Sequence, residues 1–433
     1  MKIGLEVHVA LPTKTKLFCS CSMEAVEPNS SICPICMGFP GSKPMLNKAA
    51  VESALGIANA LHCSIKKDMS FVRKVYFYPD LPKSYQITQM EGSIGSGGYL
   101  EIGDKRVRIR RVQIEEDPAQ LIRDGALTLI DFNRSGTPLV EIVTEPDISS
   151  EEEMRSFIGS LRSILYYLGV DINKEIKADV NISVAETRVE VKNVTGIKSM
   201  IESLRFEIER QTEAIRNGEE IAKETRGYNE KARSTQTLRE KESDEEYGYI
   251  FESDLTVFGT EGLKFNLPVY ANEVAKELAK GTDVSSRTVS EIIMLDRDSL
   301  AQINRLMGRH ELRSIIHGIE RYKKYGSMER MPDRVLDSIV LLIDNGKEVP
   351  KEAIKDLESG KDAKVEYAKL SEEQLDKLIN EYVAGNPELI KEYMKQPKTV
   401  NFIIENIARP NGLHPKVVAR RLMPILNRIA ESR

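Results

Sequence analysis

A chain of 433 residues that is 41% hydrophobic and 30% charged has material for two or three domains and is too apolar to remain disordered. Its net charge of -5, from 62 basic and 67 acidic residues, argues against a generic nucleic-acid binder. No run of eighteen apolar residues occurs, and Met1-Lys2-Ile3-Gly4-Leu5 enters a strand without an apolar leader, so a cytoplasmic protein with no membrane segment is expected.

Ile3, Leu5, Val7 and Val9 alternate with Gly4, Glu6 and His8, the pattern of a strand with one buried face. Glu6 and His8 then project together, either as a ligand or catalytic pair or as a hydrogen-bonded surface pair. Cys19-Ser20-Cys21 and Cys33-Pro34-Ile35-Cys36 hold four of the five cysteines in one turn-rich loop. In a reducing compartment that grouping favours a tetrahedral zinc site over disulfides, with a redox pair as the alternative. Four thiolates leave no open coordination position, so such a zinc staples the loop and does not catalyse. Cys63 is expected in a core as a small hydrophobe.

Ala50, Ala54, Ile57, Ala58 and Leu61 predict a helix over 47–62. The run from Arg73 to Gln86 is dense in aromatics and cations, and Pro79 and Pro82 hold it extended. Such a loop can stack a base or aim Lys83 at a phosphate, and it can equally be plain packing. The glycines from Gly92 to Gly98 lack the Gly-Lys-Ser/Thr ending of a P-loop and read as a hairpin connection. With no Gly-x-Gly-x-x-Gly elsewhere, any use of ATP requires another scaffold.

The stretch from Val112 to Asp147 is the centre of the chain. Val112 and Ile114 alternate with polar residues, so a continuing strand puts Glu116 on their face and Glu115 on the other. Leu139, Glu141 and Val143 share a face by the same rule. Two inward carboxylates, Glu116 and Glu141, are costly unless they are paired or bind a metal. The plainer reading pairs them with Arg110, Arg111 and Arg134.

Ser150 and Glu153 predict a capping box ahead of a helix that ends near Gly169. Residues 177–184 and 187–192 predict a hairpin with Val180, Ile182, Val184, Val189 and Val191 on one face. Its other face carries Asp179, Asn181, Ser183, Arg188, Glu190 and Lys192, either toward solvent or closing a polar cleft with Glu6, His8, Glu116 and Glu141 that holds metal and phosphate. A helix is expected over 199–216, polar and partly looped chain over 217–250, and helices from about Tyr270 onward, with a break from Lys347 to Pro350. Lys395, Lys398, Arg409, Lys416, Arg420, Arg421, Arg428 and Arg433 outnumber Glu405 and Glu431, a basic tail suited to phosphates or to a solvated helix face.

These segments, in this order, resemble the B subunits of tRNA-dependent aspartyl/glutamyl amidotransferases. The likeness rests on Gly4-Leu5-Glu6-Val7-His8-Val9, the four cysteines, Tyr76-Phe77-Tyr78-Pro79-Asp80-Leu81-Pro82-Lys83, Glu115-Glu116-Asp117, the run from Asp131 to Val143 and Asp179-Val180-Asn181-Ile182-Ser183. It implies an α+β catalytic cradle domain over 1–268 with a zinc knuckle over 19–36. A helical domain over 269–368 and a small helical tail domain over 369–433, which holds tRNA, follow. It implies a heterotrimer with an amidase-fold A subunit, which frees ammonia from glutamine, and a small bracing C subunit. The reaction implied is ATP- and Mg2+-dependent phosphorylation of the side-chain carboxylate of Asp-tRNA(Asn) or Glu-tRNA(Gln), followed by displacement by ammonia. By the same resemblance Glu6, His8, Glu116 and Glu141 are magnesium ligands, Asp179 and Lys83 lie at the active-site end of the ammonia route, and Cys19, Cys21, Cys33 and Cys36 bind structural zinc. The chain departs from the family where Glu116-Asp117-Pro118-Ala119-Gln120 lacks a usual lysine, and where Tyr249 to Thr256 replaces a proline-rich run. An archaeal paralogue, the E subunit, needs an insertion for which this length has no room. A catalytically idle tRNA-binding scaffold needs none of the four magnesium-ligand candidates.

Overall fold

The computed structural model describes residues 1–172, 176–240, 248–363, 371–395, 399–408, 411, 413 and 415–431. The chain divides into two compact units, Met1–Val274 and Ala275–Arg433.

In the first unit β1 (Lys2–Ala10) is followed by α1 (Lys48–Ala60), the short β2 (Ser64–Ile65) and β3 (Asp68–Met69), β4 (Val72–Val75), β5 (Tyr85–Thr88) and β6 (Gly95–Ile102). Next come β7 (Lys105–Glu116), the hairpin of β8 (Gln120–Asp124) and β9 (Leu127–Asp131), β10 (Pro138–Thr144), α2 (Glu151–Tyr167), β11 (Lys177–Ser183) and β12 (Val189–Thr195). Then α3 (Ile197–Arg216), β13 (Glu224–Asn229), β14 (Ser234–Glu240), β15 (Gly248–Phe251) and β16 (Phe258–Gly259) complete it. A nine-stranded mixed sheet has the order β14-β13-β12-β11-β1-β10-β7-β6-β2, with β12 and β13 its parallel pair.

The predicted alternation in β1 holds: Ile3, Leu5, Val7 and Val9 are buried in one core with Val112, Ile114, Val140, Ile142, Val180 and Ile182. Phe157, Leu161 and Leu165 of α2 and Met200 and Leu204 of α3 fill the same core. Truncating Phe157 to alanine would cost about 3–5 kcal/mol. With helices on this face, the alternate residues of β1, β7, β10, β11 and β12 are left to the other face, where polar groups collect.

Asn47 caps α1 by accepting from the backbone of Ala49 and Ala50. At α2 half of the predicted capping box forms: Ser150 Oγ accepts from the Glu153 backbone N–H, while the Glu153 carboxylate takes the N–H of Ser149. Two expectations change. Residues 217–250 contain β13, β14 and β15, because Thr225, Arg226 and Thr235 have buried polar partners that support strands without an apolar stripe. The Gly92–Gly98 run is no hairpin connection, since β5 lies in a three-stranded β15-β4-β5 sheet and Gly95–Gly98 already belong to β6 of the large sheet. Glycine is needed there because a Cβ on Gly98 would run into the carbonyl oxygen of Leu61.

From Ala271 onward the elements of the described residues are all helices: α4 (Ala271–Ala279), which runs across the unit boundary, α5 (Ser286–Ile293), α6 (Arg297–Leu306), α7 (Leu312–Tyr325), α8 (Asp333–Asp344), α9 (Lys351–Glu358), α10 (Glu372–Gly385), α11 (Pro387–Lys395), α12 (Val400–Ala408) and α13 (Pro415–Glu431). Helices α10 to α13 share a core of Leu375, Ile379, Ile403, Ile407, Leu422 and Leu426. The break expected at 368/369 lies outside the described residues. Among the described residues no helix is long and apolar enough to cross a membrane.

Candidate active site

The polar face of the large sheet is assembled by register. Across β1, His8 faces Glu141 on one side and Lys177 on the other, and Glu6 faces Val143 and Asp179. Glu141 faces Gln113, Leu139 faces Glu115, and Asn181 faces Glu190. Five adjacent strands thereby carry acids onto one floor, under a cleft of about 1160 Å3. Lys177, Arg188 and Lys192 line the cleft on the β11 and β12 side, and Lys74, Tyr76, Arg110 and Arg111 on the other.

Two groups of ligand-type atoms result, His8 with Glu115 and Glu141, and Glu6 with Asp179 and Glu190, each with its atoms within 4.8 Å of one another. His8 Nε2 lies 3.3 Å from Glu115 and 4.0 Å from Glu141. Burial opposes charge on His8, but Glu115, Glu141 and Asp179 outweigh it and raise the imidazole to about 10. Burial, then the charge of Glu115, pushes Glu141 up to about 7. Burial likewise raises Glu190. Lys192, 3.4 Å from Asp179 and 3.7 Å from Glu190, is the ammonium nearest the second group. Lys74 acts on Glu115, Arg111 on Glu141 and Lys192 on Asp179 and Glu190, and the converging hard oxygen donors of the two groups suit Mg2+ or a similar divalent cation.

Glu6, His8, Glu141 and Asp179 are therefore brought together as the sequence suggested, and Glu116 is not. Its carboxylate accepts from Lys83 Nζ at 2.5 Å and from the Ile87 backbone N–H at 2.9 Å. Both side chains of that ion pair are buried. The reason is the period of the strand: Glu116 shares the face of Val112 and Ile114, whereas Glu115 and Gln113 share the floor of the cleft. Lys83, held by Glu116, does not line the cleft either. Nor do the acids pair with Arg110 or Arg134, which bind Glu145 and Asp117. The residues missed were Glu115 and Gln113, and the signal for them was the same alternation, read toward the polar side.

The four cysteines converge: the Sγ atoms of Cys19, Cys21, Cys33 and Cys36 lie within 4.8 Å of one another. A zinc at about 2.3 Å from each would set sulfurs roughly 3.8 Å apart, and Cys33 and Cys36 stand at 3.9 Å. The soft donor set and its convergence fit zinc. Fully buried Lys16 places its ammonium 3.7 Å from Cys36 Sγ and 3.1 Å from the Phe132 carbonyl oxygen. The Cys19 hydrogen bond, aided by Lys16 and opposed by burial, holds the Cys36 thiol down to about 4. Burial first, then Cys33, pushes Cys21 up to about 11. Cys63 packs partly buried against the main core.

Of the basic tail, Arg420, Arg421 and Arg428 have described side chains, and Arg421 pairs with Glu372 and Asp376 of α10. Lys398, Arg409 and Arg433 lie outside the described residues.

Residues 1–262 match the family described as the GatB/GatE catalytic domain. A protein of Persephonella marina, named as the B subunit of an aspartyl/glutamyl-tRNA(Asn/Gln) amidotransferase, is 35% identical over 477 aligned residues, covering 98% of each chain. A protein of the same name from Methanoregula boonei is 47% identical over 269 residues, covering 58% of this chain and 56% of its own. A third so named, from Saccharolobus solfataricus, is 45% identical over 307 residues, covering 66% of this chain and 65% of its own. The chain belongs to the GatB/GatE family, and the cleft lies within its catalytic domain.

Proposed function

We propose that this chain is the B subunit of a tRNA-dependent amidotransferase, working in the cytoplasm as a heterotrimer with amidase-fold A and small C subunits. It transfers the γ-phosphoryl group of ATP to the side-chain carboxylate of Asp-tRNA(Asn), Glu-tRNA(Gln) or both, leaving ADP, and ammonia that the A subunit releases from glutamine attacks the acyl phosphate and expels inorganic phosphate to form the amide. The observation that carries this reading is the double acid floor, in a chain aligned end to end with a relative of that name.

Transfer of a phosphoryl group between two anions depends on positioning and charge neutralisation more than on a nucleophilic side chain. Divalent cations held by His8, Glu115 and Glu141 and by Glu6, Asp179 and Glu190 supply that neutralisation. Lys177, Arg188 and Lys192 offer the phosphates a cationic wall. The buried Lys83–Glu116 pair stands at the end of β7, on the face opposite Glu115, and is the polar element we assign to the end of the ammonia path. The four cysteines hold a structural zinc, and helices α10 to α13 hold tRNA.

The test is amide formation on misacylated tRNA by this chain assembled with its A and C partners, supplied with glutamine, ATP and magnesium. Asparagine or glutamine appearing on the tRNA only when ATP is present supports the assignment and identifies the substrate. Tight tRNA binding without ATP-dependent product would point to the scaffold reading.

A further inference from the structure

Among the described residues, the sheet that floors the cleft holds two buried amide oxygens without a hydrogen-bond partner. Gln113 is 5% exposed, and its Nε2 donates to Glu141 and, at 3.4 Å, to Thr88 Oγ1. Its Oε1 is buried with no hydrogen-bond partner. Asn181 is 7% exposed, its Nδ2 donates to Glu6 at 3.1 Å, and its Oδ1 is likewise buried and unpartnered. Rotating either amide would set its oxygen against a carboxylate oxygen, so the acids fix the nitrogens and leave the oxygens orphaned. Each acid group has one such amide: Gln113 beside Glu141 in the register of β7 and β10, and Asn181 beside Glu190 in that of β11 and β12. A buried acceptor without a donor is rare and calls for an unseen partner.

We infer that Gln113 and Asn181 complete two separate cation sites, each giving a neutral oxygen to one divalent ion or to the water it carries. This rests on the cation reading of the two acid groups. Three side-chain ligands leave a hard cation's shell incomplete, and an amide oxygen is a ligand of the same hardness that adds no charge. Because the two amides sit on strands to either side of β1, each acts on its own group. Gln113 belongs with His8, Glu115 and Glu141, and Asn181 with Glu6, Asp179 and Glu190.

The test is a titration of the zinc-loaded full-length chain with Mn2+, followed by the electron paramagnetic resonance signal of the free ion. The wild-type chain is expected to bind two Mn2+. Gln113→Met, close in shape but without the oxygen, should weaken one site by about tenfold to a hundredfold and leave the other within about twofold. Asn181→Leu should do the reverse. Gln113→Glu and Asn181→Asp keep an oxygen for the ion but set a second carboxylate against Glu141 or Glu6, a repulsion that the bound cation offsets, so they should retain both sites while being less stable without Mn2+, and they carry the test if the apolar variants do not fold. Two unchanged sites in both apolar variants, equal weakening of both sites by either one, or loss of a site in its acid variant overturns the inference while the cation reading stands. A wild-type chain that binds fewer than two Mn2+ overturns the reading beneath it.

Discussion

The first unit carries two metal-fitting sets built in opposite ways. Cys19, Cys21, Cys33 and Cys36 come from a single loop, whose chemistry is set by residue type and spacing. The acid groups draw His8, Glu115, Glu141, Glu6, Asp179 and Glu190 from five strands, and their chemistry is set by register. A one-residue slip of β7 would exchange Glu115 for Glu116 and dismantle the first group, whereas the cysteine loop would survive it. The staple is local and soft. The cleft is non-local and hard, and it exists only once the sheet is complete.

The sharpest way to break that comparison is to substitute the two neighbouring acids of β7 separately. Glu115→Gln should lower amide formation by a hundredfold or more, on the scale of about 10²–10³ for one group stabilising transition-state charge. Its tRNA affinity should stay within about twofold in a filter-binding assay. Equal loss of both would remove Glu115 from the chemistry. Next in effect is Cys36→Ser, which should cut zinc from one per chain to well below one by elemental analysis and lower the unfolding temperature. Its two Mn2+ sites should persist while the sheet stays folded, and losing them at a temperature where it is folded would show that the staple is not independent of the cleft. Glu116→Gln should leave Mn2+ binding alone but strand the buried ammonium of Lys83, costing about 3 kcal/mol in denaturant unfolding.

The same contrast explains what was legible in the sequence. Cys33-Pro34-Ile35-Cys36 announced its site because the ligands are near neighbours and few other chemistries use that spacing. The period of β1 delivered Glu6 and His8 with the right face. On β7 the search was for an acid among apolar residues, which selected Glu116 beside Ile114. The site instead lies on the face that the helices leave uncovered, where Gln113 and Glu115 sit. Nothing local distinguishes those faces, since Glu115 and Glu116 are adjacent and both buried. The decision belongs to the order of strands, which places β7 next but one to β1. The strands β13 and β14 escaped notice for a related reason: their inward residues are polar and are matched by Glu207 on α3, the helix just before them, which no alternation within the strands reveals.

Glu207 of α3 shows what a purely structural buried acid looks like in this chain, and so sharpens the case for the cleft. It is wholly buried, and it accepts from Arg210 at 2.9 Å, from Gln211 at 3.1 Å and from Thr235, with Arg226 paired at 3.0 Å. Burial works against its charge, yet these donors hold it below the ordinary carboxylate range. A depressed folded value means stability that is present above the unfolded value of about 4.3 and is lost as pH falls through the folded one. Glu207→Gln should therefore cost about 2 kcal/mol at pH 7, less than an unshared pair because Glu224 also binds Arg226. In denaturant unfolding that gap to wild type should close as pH falls below about 4. Added Mn2+ should stabilise wild type and Glu207→Gln by the same increment, because Glu207 already has its cations. A gap that Mn2+ narrows would mean that the α3 network and the cleft floor share one charge balance, and the separation between compensated and uncompensated acids would fail.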